Sequence, residues 1–484
     1  MFGRSGRKGL GVVGLRAPGR LLMNQVPLDK SEFTTRSFKS RVVGAGSWTL
    51  LGHSLALILR LIGTLVLSRI FYPEVFGILA VISAVQIIIT LLTDIGLRQA
   101  VVQSRNGANR EFLNTAWTVQ TLRGLAIWGV GGCFAAGLAL ADHLRLLPPN
   151  SVYSHPGLPA YIAVASSSAT ILGFQSMKWI TASRDLNLKR LIAIDLTVQF
   201  FTMAFSIGLG WLTGSIWSYI FGLIFSSASI VLLSHTFLPG PVDRFCWDRA
   251  ALRELLRFGR WTFMSSALSA FAVNGDRILL GGWVNASILG YYSIASNLAS
   301  VAEGSANQLF GSVAFPALSE AARVSPSRLT DVCNRMRWFT DTALLFMAGF
   351  LFATGALIIK ILYDQRYAEA GWMLEYLSFG LVFVRYGLFQ SAFFALGRPE
   401  YVTVLNVTKL VSLFTFVPIL YYSFGLSGAV IGFAIHMLPT TLWIFYFNAK
   451  HELNNPRIEI AALGAWVAGW LGGLAIVKLA AACC

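Results

Sequence analysis

Charge is what this 484-residue chain has least of. Only 12% of its residues are charged, against 55% hydrophobic. A soluble globular fold carries roughly twice that charged fraction, so water is excluded as the main solvent and a bilayer takes its place. Cysteine is scarce too. Cys133, Cys246, Cys333, Cys483 and Cys484 form no CxxC pair and join no His cluster, which removes a disulfide framework and a zinc site. Cys483-Cys484 reads as an ordinary tail rather than a lipidation signal. No long apolar core with a small-residue cleavage site follows the basic N-terminus, residues 9–15 being short and Gly-rich, so no signal peptide is expected. Long polar connectors are also missing. The longest on the outer side, about 141–158, holds one Asp. No acidic metal-binding or sugar-nucleotide motif appears, which disfavours a glycosyltransferase, polymerase or ligase, and no catalytic or metal-ligating residue is assigned.

Apolar stretches alternate with short polar connectors about a dozen times. About 20 residues of apolar helix cross the hydrocarbon core. Thirteen such spans are predicted, at 42–70, 76–103, 112–140, 158–181, 189–213, 215–238, 259–283, 287–318, 338–362, 368–396, 401–424, 426–449 and 459–481. Their length excludes a β-barrel, whose strands show as alternating segments of about ten residues. The expected fold class is an all-α membrane protein of 12–14 helices.

The formal net charge of +16 invites a nucleic-acid reading, but its distribution argues otherwise. With a cytoplasmic N-terminus, inner connectors and arm hold 28 basic residues, Arg337 among them. Outer connectors hold Arg69, Arg145, Lys360 and Arg366. That asymmetry is the positive-inside pattern and implies contact with anionic inner-leaflet lipid.

An internal repeat divides the chain near residue 240. Ser47-Trp48-Thr49 matches Arg260-Trp261-Thr262, and Phe76-Gly77 matches Leu289-Gly290. Ser83 and Ser296 keep the same offset of 213. Six spans on each side of the junction give two parallel, pseudo-symmetric halves. The expected organisation is a basic cytoplasmic arm (1–40), an N-lobe (41–238), a linker (239–258), a C-lobe (259–450) and an additional span (451–484). In the linker, Arg249, Arg253, Arg257 and Arg260 alternate with Leu252, Leu255, Leu256 and Phe258, the pattern of an amphipathic helix lying on the inner membrane surface.

Arg60, Arg123, Arg277, Arg385 and Lys409 fall inside spans. On the insertion scale each costs roughly 2.5–3.5 kcal/mol at a helix centre, so each needs an acid, a wet cavity or an interface. Asp94, Asp195, Asp276 and Glu303 are the acids within reach, candidates for charge pairing or for coupling to H+ or Na+. Asp94 and Arg98, four apart, are expected to pair on one helix face. Adjacent Asp276 and Arg277 should point about 100° apart. Guanidinium groups facing a cleft between two lobes suit phosphate or pyrophosphate, because Arg stays charged and binds oxygens through a planar fork. In the eighth span Ser293, Ser296, Asn297, Ser300, Glu303, Gly304 and Asn307 recur every three to four residues. This places a polar stripe on one face, suited to hydroxyl-rich cargo.

Three groups of residues carry a family resemblance: aromatic/Pro-x-x-Phe-Gly at 72–77, Asp94-x-Gly96-Leu97, and Asp276-Arg277 followed by Leu289-Gly290-Tyr291-Tyr292. They resemble the polysaccharide transporter family, the Wzx-type flippases of lipid-linked oligosaccharides. These share a superfamily with multidrug exporters of the MATE type and lipid II flippases. The resemblance covers roughly 40–450. It implies two lobes around a central cationic cavity in a bacterial inner membrane. The implied cargo is an undecaprenyl-pyrophosphate-linked oligosaccharide, carried outward without covalent chemistry or a cofactor, for exopolysaccharide, capsule or O-antigen synthesis. A polymerase and chain-length or export proteins are the partners it implies. The competing expectation is a MATE-type drug or cation exporter, which would favour acids over Arg in the cavity.

Overall fold

The computed structural model describes residues 35–483 apart from 105, 108 and 186. Side chains are described for these except at 35–47, 50, 258–262, 264, 265 and 483. Most of the basic arm, and Ser47 and Trp261 of the repeat, therefore lie outside the described part. Residues from 45 onward pack as one unit.

The first half of the chain forms α1 (Thr35–Ile70), α2 (Pro73–Leu92), α3 (Leu97–Gln103), α4 (Arg110–His143), α5 (Leu158–Gly173), α6 (Lys178–Arg184), α7 (Leu188–Thr213) and α8 (Trp217–Thr236). The second half forms α9 (Arg249–Trp283) and α10 (Ala286–Leu309), the latter continuing through a π-helical turn (Phe310–Ala314) into α11 (Phe315–Val324). Then come α12 (Pro326–Leu362), α13 (Ala370–Ser378), α14 (Gly380–Val384), α15 (Gly387–Ala395), α16 (Pro399–Ile435), α17 (Leu438–Lys450) and α18 (Pro456–Cys483). Each expected span coincides with one helix or with a run broken inside it. Spans eleven and twelve meet at Gly425, whose φ of +64° bends α16 in a region that glycine enters freely. Nine stretches among the described residues are long and apolar enough to cross a membrane. The α10 helix is not one of them, because its polar stripe lowers its hydropathy.

Broken helices need their freed backbone groups satisfied by protein where lipid offers nothing. Between α5 and α6, Gln120 of α4 donates to the carbonyls of Gly173 (3.0 Å) and Gln175 (2.9 Å), and Thr121 donates to Gly173 (3.2 Å). Between α2 and α3 the chain turns at Gly96, φ +60°, and the Asp94 carboxylate accepts from the Gly96 N–H at 3.0 Å. This break also explains a correction. Asp94 and Arg98 do not share a helix face; Arg98 donates to Ser183 at 3.1 Å instead.

The linker also departs from expectation. Its helical part is the start of α9, whose Asp248 cap accepts from the N–H groups of Ala251 (2.9 Å) and Ala250 (3.2 Å). Those two donors hold the Asp248 carboxyl below the usual carboxylate range. Part of the apolar side packs on protein, while Leu256 stays exposed. Ala251 and Leu255 are buried against Val101, Phe112 and Trp117 of the first half, while Arg253 and Arg257 stay exposed. Thus α9 begins on one half and ends in the other.

The two halves meet where α2 crosses α10. A Cβ on Gly77 would overlap the Ala286 carbonyl, and a Cβ on Gly290 would overlap the Pro73 carbonyl. Residues 73 and 286, like 77 and 290, differ by 213, so the offset read from the sequence reappears as a reciprocal glycine–carbonyl contact about a pseudo-two-fold axis. Such close helix approach in lipid requires small residues. The same end is latched by polar contacts. Tyr367 Oη donates to the Phe71 carbonyl (2.7 Å), Arg69 donates to Leu362 (3.2 Å), and Arg366 donates to the carbonyls of Ser68 and Arg69 (3.2 Å each). Hydrogen bonding from Arg366 also holds the Asp364 carboxyl low.

The thirteenth span, α18, is integral to the second half. Gly349 of α12 sits on the Trp466 carbonyl, and Gly469 of α18 sits on the Phe346 carbonyl. A buried ion quartet ties it further. Arg385 reaches Asp341 at 3.2 Å and Glu459 at 2.7 Å, Arg337 reaches Asp341 at 3.1 Å, and Arg337 also pairs with Glu459. Arg337, counted above as a connector residue, is 1% exposed, and Arg385 4%.

Two predictions follow from these contacts. Gly77→Val or Gly290→Val should force α2 and α10 apart and destabilise the protein by about 1–3 kcal/mol, read as a lower melting temperature in detergent. Gly129→Val, whose Cβ meets open space, should not. Arg385→Ala leaves buried carboxylates undercompensated and should cost about 3–5 kcal/mol, seen as loss of folded protein. Arg60→Ala, at a residue with no ion pair among those described, should leave the melting temperature unchanged.

Candidate functional site

Below the α2–α10 crossing the helices separate around a cavity of about 510 Å³. The first half contributes one wall, α1, through His53, Leu57, Arg60, Leu61 and Thr64. The second half supplies Asp276 and Arg277 of α9, the face of α10 from Tyr292 to Asn307, Lys409 and Leu413 of α16, and His436 between α16 and α17. At 1.5 Å per residue the α10 face alone runs on the order of 20 Å, away from the latched end.

The stripe predicted on α10 is the floor of this cavity. Ser296, Asn297, Ser300, Glu303, Gly304 and Asn307 all line it. Ser293 does not; it is buried, and its hydroxyl donates to the Leu289 carbonyl at 2.7 Å. The helical period holds five polar side chains and Gly304 on one side, and the lobe geometry turns that side to the cavity.

The structure divides the five cations within spans. Arg60, Arg277 and Lys409 share the cavity. Arg123 is not among the lining residues. Its guanidinium donates to the Thr90 carbonyl at 2.7 Å and pairs with Asp94 at 3.7 Å, pinning α4 to the end of α2. Arg385 is corrected too: it belongs to the ion quartet that holds α18. Both found partners within their own half, and a paired Arg has no need of a wet cleft.

The acids divide likewise. Asp276 and Glu303 line the cavity. Asp94 serves the α2–α3 break and also accepts from Ser266 at 3.2 Å. Asp195 is an exposed residue of α7 outside the cavity. Asp276 and Arg277, expected to diverge, come within 3.8 Å. At that separation the long Arg side chain folds back to an ion pair without a hydrogen bond. The other Asp276 oxygen accepts from Tyr292 Oη at 2.7 Å. With that pair neutralised, Arg60 and Lys409 against Glu303 leave the cavity net positive.

Sequence reasoning missed His53, His436 and Tyr292 in this site, and Glu459 in the quartet. A histidine inside an apolar run was the available signal for the first two. Tyr292 stood out only within the Leu289-Gly290-Tyr291-Tyr292 motif and nothing local marked Glu459; their partners lie 16 and 74 residues away in the chain.

Residues 66–371 match the family described as "Polysaccharide biosynthesis protein". Over 437 residues the chain is 22% identical to an "Uncharacterized membrane protein in cps region" of Klebsiella pneumoniae, covering 87% of this chain and 85% of that one. Over 436 residues it is 21% identical to the "Lipopolysaccharide biosynthesis protein WzxC" of Escherichia coli (strain K12), covering 87% and 83%. Among solved structures, the fold is shared with the lipid II flippase MurJ in an inward closed conformation, with TM-score 0.70, 13% identity and 89% and 92% coverage. It is also shared with an inward-facing multidrug resistance transporter of the MATE family, with TM-score 0.61, 15% identity and 82% and 94% coverage. With well over half its length matched, this all-helical, multi-pass chain belongs to the polysaccharide biosynthesis protein family, on the fold of flippases and exporters.

Proposed function

We propose that the protein moves an undecaprenyl-pyrophosphate-linked oligosaccharide from the cytoplasmic to the periplasmic leaflet of a bacterial inner membrane, with its N-terminus in the cytoplasm. The observation that carries this reading is the cavity itself. Arg60, Arg277 and Lys409 line one space of about 510 Å³ together with a hydroxyl- and amide-rich face of α10. Two cargo chemistries, a diphosphate and a glycan, match those two linings. Guanidinium and ammonium groups supply charge-assisted donors for phosphate oxygens. Asn and Ser side chains offer both donors and acceptors to sugar hydroxyls. The prenyl tail, itself apolar, stays in lipid.

Transport needs no bond to form or break. Under this reading the Gly77–Gly290 crossing and the Arg366–Tyr367 latch form the outer seal, and the cavity faces inward. Breaking that seal while the lobes close on the opposite side would hand the headgroup across. A cationic-drug exporter fits this cavity less well: Asp276 is already held by Arg277 and Tyr292, which leaves two cations against one acid.

Arg60→Ala, Arg277→Ala and Lys409→Ala should each lower surface polysaccharide about tenfold or more at unchanged protein level. Hydrogen bonds to charged groups contribute about 1.5–3 kcal/mol. Wild-type output from all three variants, measured in a deletion strain complemented from a plasmid, would end the reading. A changed drug susceptibility of the deletion strain would favour the exporter.

A further inference from the structure

We infer that His436 is a proton-binding group that couples anion binding in the cavity to proton uptake. The inference rests on the proposed diphosphate site and deepens it.

Three features single out this imidazole. First, its tautomer is determined. His436 Nδ1 lies 2.7 Å from the Phe433 carbonyl oxygen. A carbonyl can only accept, so Nδ1 carries the hydrogen, and Nε2 of the neutral ring is left with a bare lone pair. Second, Nε2 is buried and has no hydrogen-bond partner among the described residues, although His436 lines the cavity; His53 Nε2 shares this, and it is the fixed tautomer and the charged neighbours that set His436 apart. A histidine serving only to pack would have little reason to leave its basic nitrogen unmatched at the edge of a polar space. Third, Lys409 and Asp276 stand within electrostatic reach of the ring. Asp276 Oδ1 is likewise buried without a hydrogen-bond partner. Its Oδ2 is engaged by Tyr292, and Arg277 is 3.8 Å away.

The sign follows from the charges. Without an anion, burial of the ring and the charges of Lys409, Arg277 and Arg60 oppose a further positive charge, while Asp276 and Glu303 favour it. A dianionic headgroup tips this balance, because a nearby negative charge favours the protonated ring. One proton moves from solvent to His436 Nε2 as the anion enters, and it leaves when the anion departs. Anion affinity must therefore rise as pH falls.

The test uses the full-length protein in detergent and a short-chain prenyl diphospho-N-acetylglucosamine. The diester diphosphate of this probe keeps its charge across the range. Calorimetry from about pH 5 to pH 8, in buffers of differing ionisation heat, reads both affinity and protons taken up. Affinity should weaken with rising pH, by up to about tenfold per pH unit at the steepest, with proton uptake on binding. His436→Gln and His436→Asn should flatten both, whereas His53→Gln and Glu303→Gln should not. No proton uptake by the wild type overturns the inference even if neither His436 variant folds. So does a pH slope that survives in His436→Gln, or one that disappears in His53→Gln or Glu303→Gln instead. Binding that is pH-independent leaves the diphosphate reading standing and removes His436 from it; no binding at any pH removes both.

Discussion

Inside hydrocarbon, a charged or backbone polar group must find its partner within the protein or face water that the protein admits. This constraint organises the molecule. It explains why Gln120 and Thr121 reach across to the broken end of α5, and why Arg337, Asp341, Arg385 and Glu459 occur together as a neutral quartet. It also identifies the site. Once the described span charges with close partners are set aside, Arg60, Lys409 and Glu303 border one cavity together with the loosely paired Asp276 and Arg277, while Asp195 stays exposed on α7 outside it.

A second constraint shapes how the halves can move. Interdigitated side chains resist separation gradually, but a glycine seated on a carbonyl is either in contact or apart. The reciprocal pair at Gly77 and Gly290 makes the junction narrow and reversible, and the polar latch around Arg366 and Tyr367 lies beside it. The α12–α18 crossing uses the same device, but there it is reinforced by a buried ion quartet. Under the proposed transport cycle the α2–α10 crossing opens while the α12–α18 crossing stays shut, so that the thirteenth helix moves with its half. The helix α9, packed on the first half through Leu255 and lining the cavity of the second through Arg277, links the two across that motion.

Spans, repeat and polar stripe were all legible in the chain, and for one reason. Each is a periodic property of consecutive residues: hydropathy over about 20 positions, an offset of 213, a spacing of three to four. Thus α10 was recognisable as a cavity wall before any coordinate, and Gly77 was matched with Gly290 without a hint that they touch. Local geometry failed where a helix broke. The expected Asp94–Arg98 pair assumed a continuous helix through Gly96, and a positive φ there separated them.

The sequence by itself determined that this is a many-span helical membrane protein of two repeated halves, with more charge in its spans than lipid tolerates. Those are sums and periods along the chain. Only the tertiary structure decided which charges border the cavity, because that depends on what stands opposite. Arg385 and Arg277 look alike in sequence, each an arginine within an apolar run. One meets Asp341 and Glu459 across a helix interface, and the other, loosely paired with its neighbour Asp276, borders the cavity.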